Sequence, residues 1–325
     1  MKIKPLLSVI AISSMLAFSA SAKTWNMAAP YPDATFHTQN IYEFAKEVKE
    51  LSGGELDIKV HSAGSLFKHP EIKSAVRSGQ VEAGEFFLSR LNNENQIYGL
   101  DSLPFFAVSY DEAMNLWKAQ KPIVEKLLDK ENIKVLYAVA WPPQGLYTKK
   151  EIKSINDLKG IKFRSYNSTL EEFAKSVGAT PVLIEVPDIP QAFSTNRVEA
   201  MITSPSTGVN SKAWDFLTHY TDIQAWIPKN IVVVSKKAFN RLDEKTQQAI
   251  LKAAATAEER GWAMSKKENT EQVEKLKANG IIVNAPSDEL KAQLQEVGQK
   301  MLENWKANMD KDGEELLATY SEANK

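Results

Sequence analysis

The chain has 325 residues, with 40 Lys and Arg, 41 Asp and Glu, and no Cys. A formal net charge of −1 without a dense basic block argues against a nucleic-acid partner, and the missing thiols exclude cysteine nucleophiles and thiolate metal centres. The length is that of two domains, or one large one.

Lys2 and Lys4, the short apolar run from Leu6 to Phe18 and the small residues Ala20-Ser21-Ala22 form the three regions of a secretory signal. Residues 1–22 are therefore set apart from the fold, and the mature chain is expected to start at Lys23. Without Lys2 and Lys4 it carries 38 basic and 41 acidic residues, a formal net charge of −3. No later run reaches the roughly 20 apolar residues of a spanning helix, so an exported protein outside the cytoplasmic membrane is expected. A large core makes disulfides unnecessary there.

In chain order, Thr24 to Ala29 alternates as a strand, and Ile41, Phe44, Ala45 and Val48 repeat at helical spacing up to Ser52-Gly53-Gly54. Leu56, Ile58 and Val60 form a second strand, Pro70 opens a short helix that Gly79 ends, and Val81 to Leu88 is a third strand. Two helices are predicted over Asp111 to Ala119 and Pro122 to Asp129, then a strong strand over Ile133 to Ala140. This alternation is that of an α/β fold with crossover helices. Trp141-Pro142-Pro143-Gln144-Gly145 interrupts it and marks passage into a second domain. There, Ile161 and Phe163 alternate as a strand before a helix starting at Ser168, and Pro181 to Val186 and Val198 to Thr203 read as further strands. Ser204-Pro205-Ser206-Thr207-Gly208 is predicted as a polar loop. His219 to Trp226 is read as extended, and Ile231 to Val234, apolar on both faces, as a central strand. A helix from Asp243 toward Ala278 is too long for one small domain and is expected to run across both. The division predicted is 23–145 with about 231–266 returning to it, and 146–230 with about 267–325 completing it.

Signals for catalysis are thin. The four His, at 37, 61, 69 and 219, lack metal-ligand spacing, no HExxH or GxSxG occurs, and His69 with Glu71 makes a weak general-base pair. Neither a metal nor a cofactor is expected. Asn308 to Gly313 imitates the start of a calcium loop, but Thr319 at its twelfth position cannot supply the bidentate carboxylate. Binding signals are clearer. Arg164 stands where its strand runs out, the place where α/β folds hold ligands, and its fork of donors matches a carboxylate. Trp141, Tyr31, Phe67, Phe86, Tyr166 and Trp226 lie in loops or near strand ends and are read together as an aromatic pocket lining. Glu85 can receive a ligand hydroxyl or amine or pair with a Lys, and Ser204, Ser206 and Thr207 can donate hydroxyl bonds.

Five segments in order carry a family resemblance: Ser62-Ala63-Gly64-Ser65-Leu66, Leu103-Pro104-Phe105, Leu158 to Arg164, Gly178-Ala179-Thr180-Pro181-Val182, and Pro190 to Ala200. With these the mature chain resembles the DctP-type extracytoplasmic solute receptors of TRAP (tripartite ATP-independent periplasmic) transporters. The resemblance implies a two-domain α/β periplasmic fold with crossing hinge strands and a long helix along both domains. It also implies closure around a small organic acid and delivery to the transporter's membrane subunits. The Arg with which the family clamps a ligand carboxylate falls on Arg164. The chain departs from sialic-acid binders at Thr203 to Thr207, where those carry an Asn. A second Arg found upstream in many members is missing from Trp141 to Gln144, which disfavours dicarboxylates. The expected ligand is a monocarboxylate with an aromatic or apolar body and a 2-keto or 2-hydroxy group, taken up by a monomer. A C4-dicarboxylate or sugar-acid receptor, an exported α/β hydrolase and a sensory or scaffold protein are the alternatives.

Overall fold

A computed structural model describes residues 22–325, so all of the expected secretory signal except Ala22 lies outside the described residues. The chain begins with Lys23–Ala28 (β1), Phe36–Leu51 (α1), Leu56–His61 (β2), Ile72–Ser78 (α2), Ala83–Phe87 (β3), Tyr110–Asp129 (α3) and Ile133–Ala140 (β4). It continues through Gly145–Thr148 (β5), Lys162–Ser165 (β6), Ser168–Ser176 (α4), Thr180–Leu183 (β7), Ile189–Ser194 (α5), Ala200–Thr203 (β8), Pro205–Asn210 (α6) and His219–Thr221 (β9). Lys229–Ser235 (β10), Lys236–Asn240 (α7), Glu244–Ala278 (α8), Ile282–Asn284 (β11), Asp288–Ala307 (α9) and Lys311–Ala323 (α10) complete it.

Two sheets result, in the orders β2-β1-β3-β10-β4 and β11-β9-β5-β8-β6-β7. In the first, β10 is inserted antiparallel between β3 and β4, and all seven of its residues are buried. That placement is why Ile231 to Val234 is apolar on both faces. The sheets are joined by paired crossing segments: Trp141 N–H donates to Pro228 O (2.8 Å), Gln144 N–H to Trp226 O (3.0 Å) and Ala225 N–H to Gln144 O (2.9 Å).

The long helix α8 is capped by Asp243, whose carboxylate accepts from Thr246 N–H (2.9 Å). Its N-terminal half packs Ala253, Ala254, Ala257 and Gly261 near α1 and β4, and its C-terminal half reaches the second unit, where Ser206 donates to Glu268 (2.7 Å). Small residues let the helix approach the strand. A Cβ on Gly261 would stand 2.4 Å from Val139 Cγ2 and 2.8 Å from Asn40 Nδ2. Gly261→Ala is therefore expected to lower stability: overpacking costs about 1–3 kcal/mol, and here exceeds the helix-propensity gain of at most ~1 kcal/mol. A lower denaturation midpoint than wild type in urea is the expected result.

Three local expectations are corrected. Asp111 to Asp129 is one helix, α3, with Pro122 inside it. Pro122 and Lys118 are both exposed, so the carbonyl that Pro122 leaves unbonded faces water while Ala113, Leu116, Trp117, Ile123 and Val124 form a continuous buried stripe. Ser204 to Gly208 is the start of α6, with Ser204 as N-cap accepting from Thr207 N–H (3.1 Å) and Pro205 at the first position. The last helix, α10, lies against α3 of the first unit instead of completing the second, with Lys126 Nζ 2.9 Å from Asp312 and Tyr320 OH donating to Phe106 O (3.3 Å).

Candidate functional site

Arg164 and Thr203 stand at the ends of β6 and β8, parallel neighbours whose carboxyl ends open on the cleft between the sheets. The cavity there has about 390 Å³ of space not filled by protein atoms, part of it open to solvent. Arg164 is 1% exposed. Its Nε donates to Ile184 O (3.0 Å), and its guanidinium carbon lies 4.8 Å from the centre of the Tyr166 ring. The Nη donors have no hydrogen-bond acceptor among the described residues and belong to the cavity lining. Burial brings the guanidinium down to about 10, which still leaves it charged at neutral pH.

Aromatic walls surround this cation. Trp141 and Tyr31 meet edge to face at 5.1 Å, and both donate to Asn230 Oδ1, at 2.9 and 3.4 Å. Phe87 meets Tyr166 edge to face at 5.3 Å across the cleft. Tyr166 OH donates to Gln144 Oε1 (3.3 Å) and accepts from Trp226 Nε1 (3.0 Å). Burial first of all keeps Tyr31 and Tyr166 above the ordinary phenol range, so both are neutral.

A second charged group crosses the cleft. Arg90, in the single turn Leu88–Leu91 after β3, places Nη1 2.8 Å from Glu185 Oε1, and His69 Nδ1 lies 3.7 Å from Glu185 Oε2. His69 Nε2 accepts from Phe87 N–H (3.0 Å), which fixes the ring proton on Nδ1, facing the carboxylate. Burial, above all, lowers the His69 imidazole below its usual value, so it is neutral. Burial acts to raise Glu185, but the His69 hydrogen bond and the Arg90 charge outweigh it and hold the carboxyl at about 2. Asn167 donating to Ser89 (2.7 Å) and Asn92 to Ser168 (3.1 Å) also bridge the units, so the structure describes the closed form.

Because the folded carboxyl titrates below its ordinary 4.5, Glu185 contributes stability that is present above that value and lost as pH falls toward 2. The melting temperature is expected to drop through this window, and Glu185→Gln to drop less steeply there.

Of the residues singled out from sequence, Arg164, Trp141, Tyr166, Tyr31, Ser204 and Thr207 line the cavity. Five do not. Phe86 points to the opposite face of β3 from Phe87, into the cluster of Ile72, Val76 and Trp117. Phe67 packs against that same cluster. Glu85 is buried one layer below, its Oε1 3.2 Å from His37 Nδ1, so its partner is a His and not a Lys. Ser206 is bound to Glu268, and Trp226 supports Tyr166 from behind. Sequence reasoning missed Phe87, Arg90, Gln144, Glu185 and Thr203, and it paired His69 with Glu71. Arg90 and Glu185 were detectable by the argument used for Arg164, since each follows a strand at the cleft. No Arg stands at Trp141 to Gln144, but the lining does hold a second guanidinium, that of Arg90, already paired with Glu185.

A cleft between two sheet-bearing units, joined by crossing segments and closed over a buried cation, defines a solute-capturing receptor. Residues 27–308 match the bacterial extracellular solute-binding proteins, family 7, DctP, and the chain belongs to that family. It is 43% identical to a Bordetella pertussis extracytoplasmic solute receptor binding pyroglutamic acid, with 92% of this chain and 100% of that one covered and a TM-score of 0.91. It is 39% identical to a marine metagenome TRAP solute-binding protein specific for pyroglutamate, with 93% and 99% covered and a TM-score of 0.90. A more distant relative is the C4-dicarboxylate-binding periplasmic protein DctP of Rhodobacter capsulatus, 22% identical over 73% of this chain and 72% of that one. The protein is a periplasmic receptor of the TRAP type, from a family that takes small organic acids to membrane subunits and not from a family of enzymes. Among the described residues no helix is long and apolar enough to cross a membrane.

Proposed function

We propose that the protein captures a small monocarboxylate of the pyroglutamate type, a five-membered lactam acid, and delivers it as a monomer to a TRAP membrane complex. The observation that carries this reading is the charge of the cavity lining: Arg164 and Arg90 against Glu185, with His69 neutral, leave one positive charge for the ligand. One carboxylate balances it, taken by the Nη donors of Arg164 in two charge-assisted bonds. The aromatic faces of Tyr31, Phe87, Trp141 and Tyr166 suit a flat apolar ring, and Gln144, Thr203 and Thr207 supply polar partners for a lactam. The relatives that bind pyroglutamate support the ligand class. A 2-keto or 2-hydroxy acid with an apolar body satisfies the same charge and the same walls, and is the second reading.

Thermal shift with L-pyroglutamate, phenylpyruvate, succinate and galacturonate tests this. A ligand at one hundred times its Kd adds about 2.7 kcal/mol to the folded state, so a clear rise with pyroglutamate is expected. A rise with succinate or galacturonate and none with either monocarboxylate would overturn it. Recovery of the ligand intact after denaturation distinguishes capture from hydrolysis.

A further inference from the structure

Arg90 and Glu185 both line the ligand cavity yet come from opposite sides of the cleft, and each is the other's charged partner at 2.8 Å. Arg90 Nη1 also lies 3.5 Å from Tyr166 O, which directs its fork toward the second unit. Among the described residues Glu185 is the only acidic one in that lining; Arg90 and His69 contact it directly, and Arg164 and Tyr31 lie within reach of its charge without contacting it. We propose that Glu185 is a specificity-determining residue: by occupying Arg90 it leaves Arg164 as the single unmatched charge and restricts the receptor to ligands with one carboxylate.

The inference rests on the single-carboxylate reading above and extends it to the residue that enforces it. With Glu185 ionised, a second ligand carboxylate would share the enclosed space with a fixed negative charge and find no free cation. Like-charge juxtaposition of this kind suppresses binding of a wrong partner. Remove the Glu185 charge and two guanidiniums become available, the arrangement a dicarboxylate requires.

The test compares glutarate, its monoamide glutaramate and L-pyroglutamate near neutral pH, by thermal shift and calorimetry on the mature chain. The monoamide has the glutarate skeleton with one charge fewer. Wild type is expected to bind pyroglutamate and to take glutaramate in preference to glutarate. Glu185→Gln is expected to gain glutarate affinity by at least about tenfold over wild type. Arg90→Gln leaves Glu185 unpaired, makes the cavity neutral and is expected to lose pyroglutamate affinity by at least about tenfold. The double variant restores the wild-type charge, and with it both the rejection of glutarate and part of the pyroglutamate affinity. A folded Glu185→Gln protein with no gain for glutarate would overturn the proposal. So would a double variant that keeps the gain, since added room and not charge would then explain it. If Glu185→Gln does not fold, undiminished pyroglutamate affinity in Arg90→Gln overturns it instead. Wild type binding glutarate as tightly as pyroglutamate refutes the single-carboxylate reading itself, a result separate from the role of Glu185.

Discussion

Arg164→Ala is expected to abolish ligand-induced stabilisation while leaving a folded protein. The side chain is buried, tethered at Nε to Ile184 O and stacked on Tyr166, so its Nη atoms are held in place before any ligand arrives. A pre-aimed fork makes its bonds to a carboxylate without losing further rotamer freedom, and the low-dielectric surroundings strengthen them. Losing one partner of such a buried charge pair costs about 2–5 kcal/mol, roughly 30-fold to several-thousand-fold in Kd. Arg164→Lys is expected to lose most of the same affinity, because an ammonium keeps the charge but not the two parallel bonds nor the stack on Tyr166. Calorimetry with L-pyroglutamate on both variants measures this. Binding by Arg164→Ala within a few-fold of wild type would remove Arg164 from the carboxylate site.

Lys229→Met is expected to be the most destabilising change outside the cavity. Lys229 opens β10, where the chain returns to the first sheet, and its Nζ lies 3.2 Å from Asp101 Oδ2 with both side chains fully buried. Its backbone N–H donates to the same oxygen (2.9 Å), so Asp101 joins the loop before α3 to the crossing strand. Burial raises the Asp101 carboxyl and lowers the Lys229 amine, each against the pull of its partner, so desolvation outweighs attraction and the pair adds little net stability. Breaking it is different. Removing one partner leaves an uncompensated charge, at a cost of about 3–5 kcal/mol. Lys229→Met with Asp101→Asn removes both charges and is expected to recover more than half of that loss, read as urea midpoints. The sign of the pH effect follows from the raised Asp101: a carboxyl that titrates higher in the folded state stabilises below its unfolded value of 3.8 and loses that contribution as pH rises. The Lys229→Met deficit is therefore expected to be larger at neutral than at mildly acidic pH.

The elements that were legible in the sequence are those set by local pattern. Ile133 to Ala140 and Ile231 to Val234 are apolar runs that only a buried strand accommodates, and Asp243 caps the long helix as its position before the first turn predicts. Arg164 was legible because a charged fork at the end of a buried strand faces the cleft whatever the neighbouring elements do. Pro122 misled because a helix break depends on which face the proline occupies, and that is settled by the stripe packed on the core. Phe86 and Phe87 differ only in strand parity: a shift of one residue sends the ring to the opposite face, and their neighbours are apolar enough to fit either.

By itself, then, the sequence determined the α/β alternation, the crossing point near Trp141, the helix that bridges the two units and the arginine that faces the cleft. The charge of the pocket was decided only by tertiary structure. Arg90 and Glu185 are 95 residues apart and meet across a closed cleft, and His69 faces the same carboxylate from a third element. Local sequence fixes whether a residue is charged and roughly where its element ends. Whether that charge is free for a ligand or already neutralised depends on which distant groups the fold brings within a few ångströms, because Coulomb energy in a buried site is set by separation in space and not along the chain.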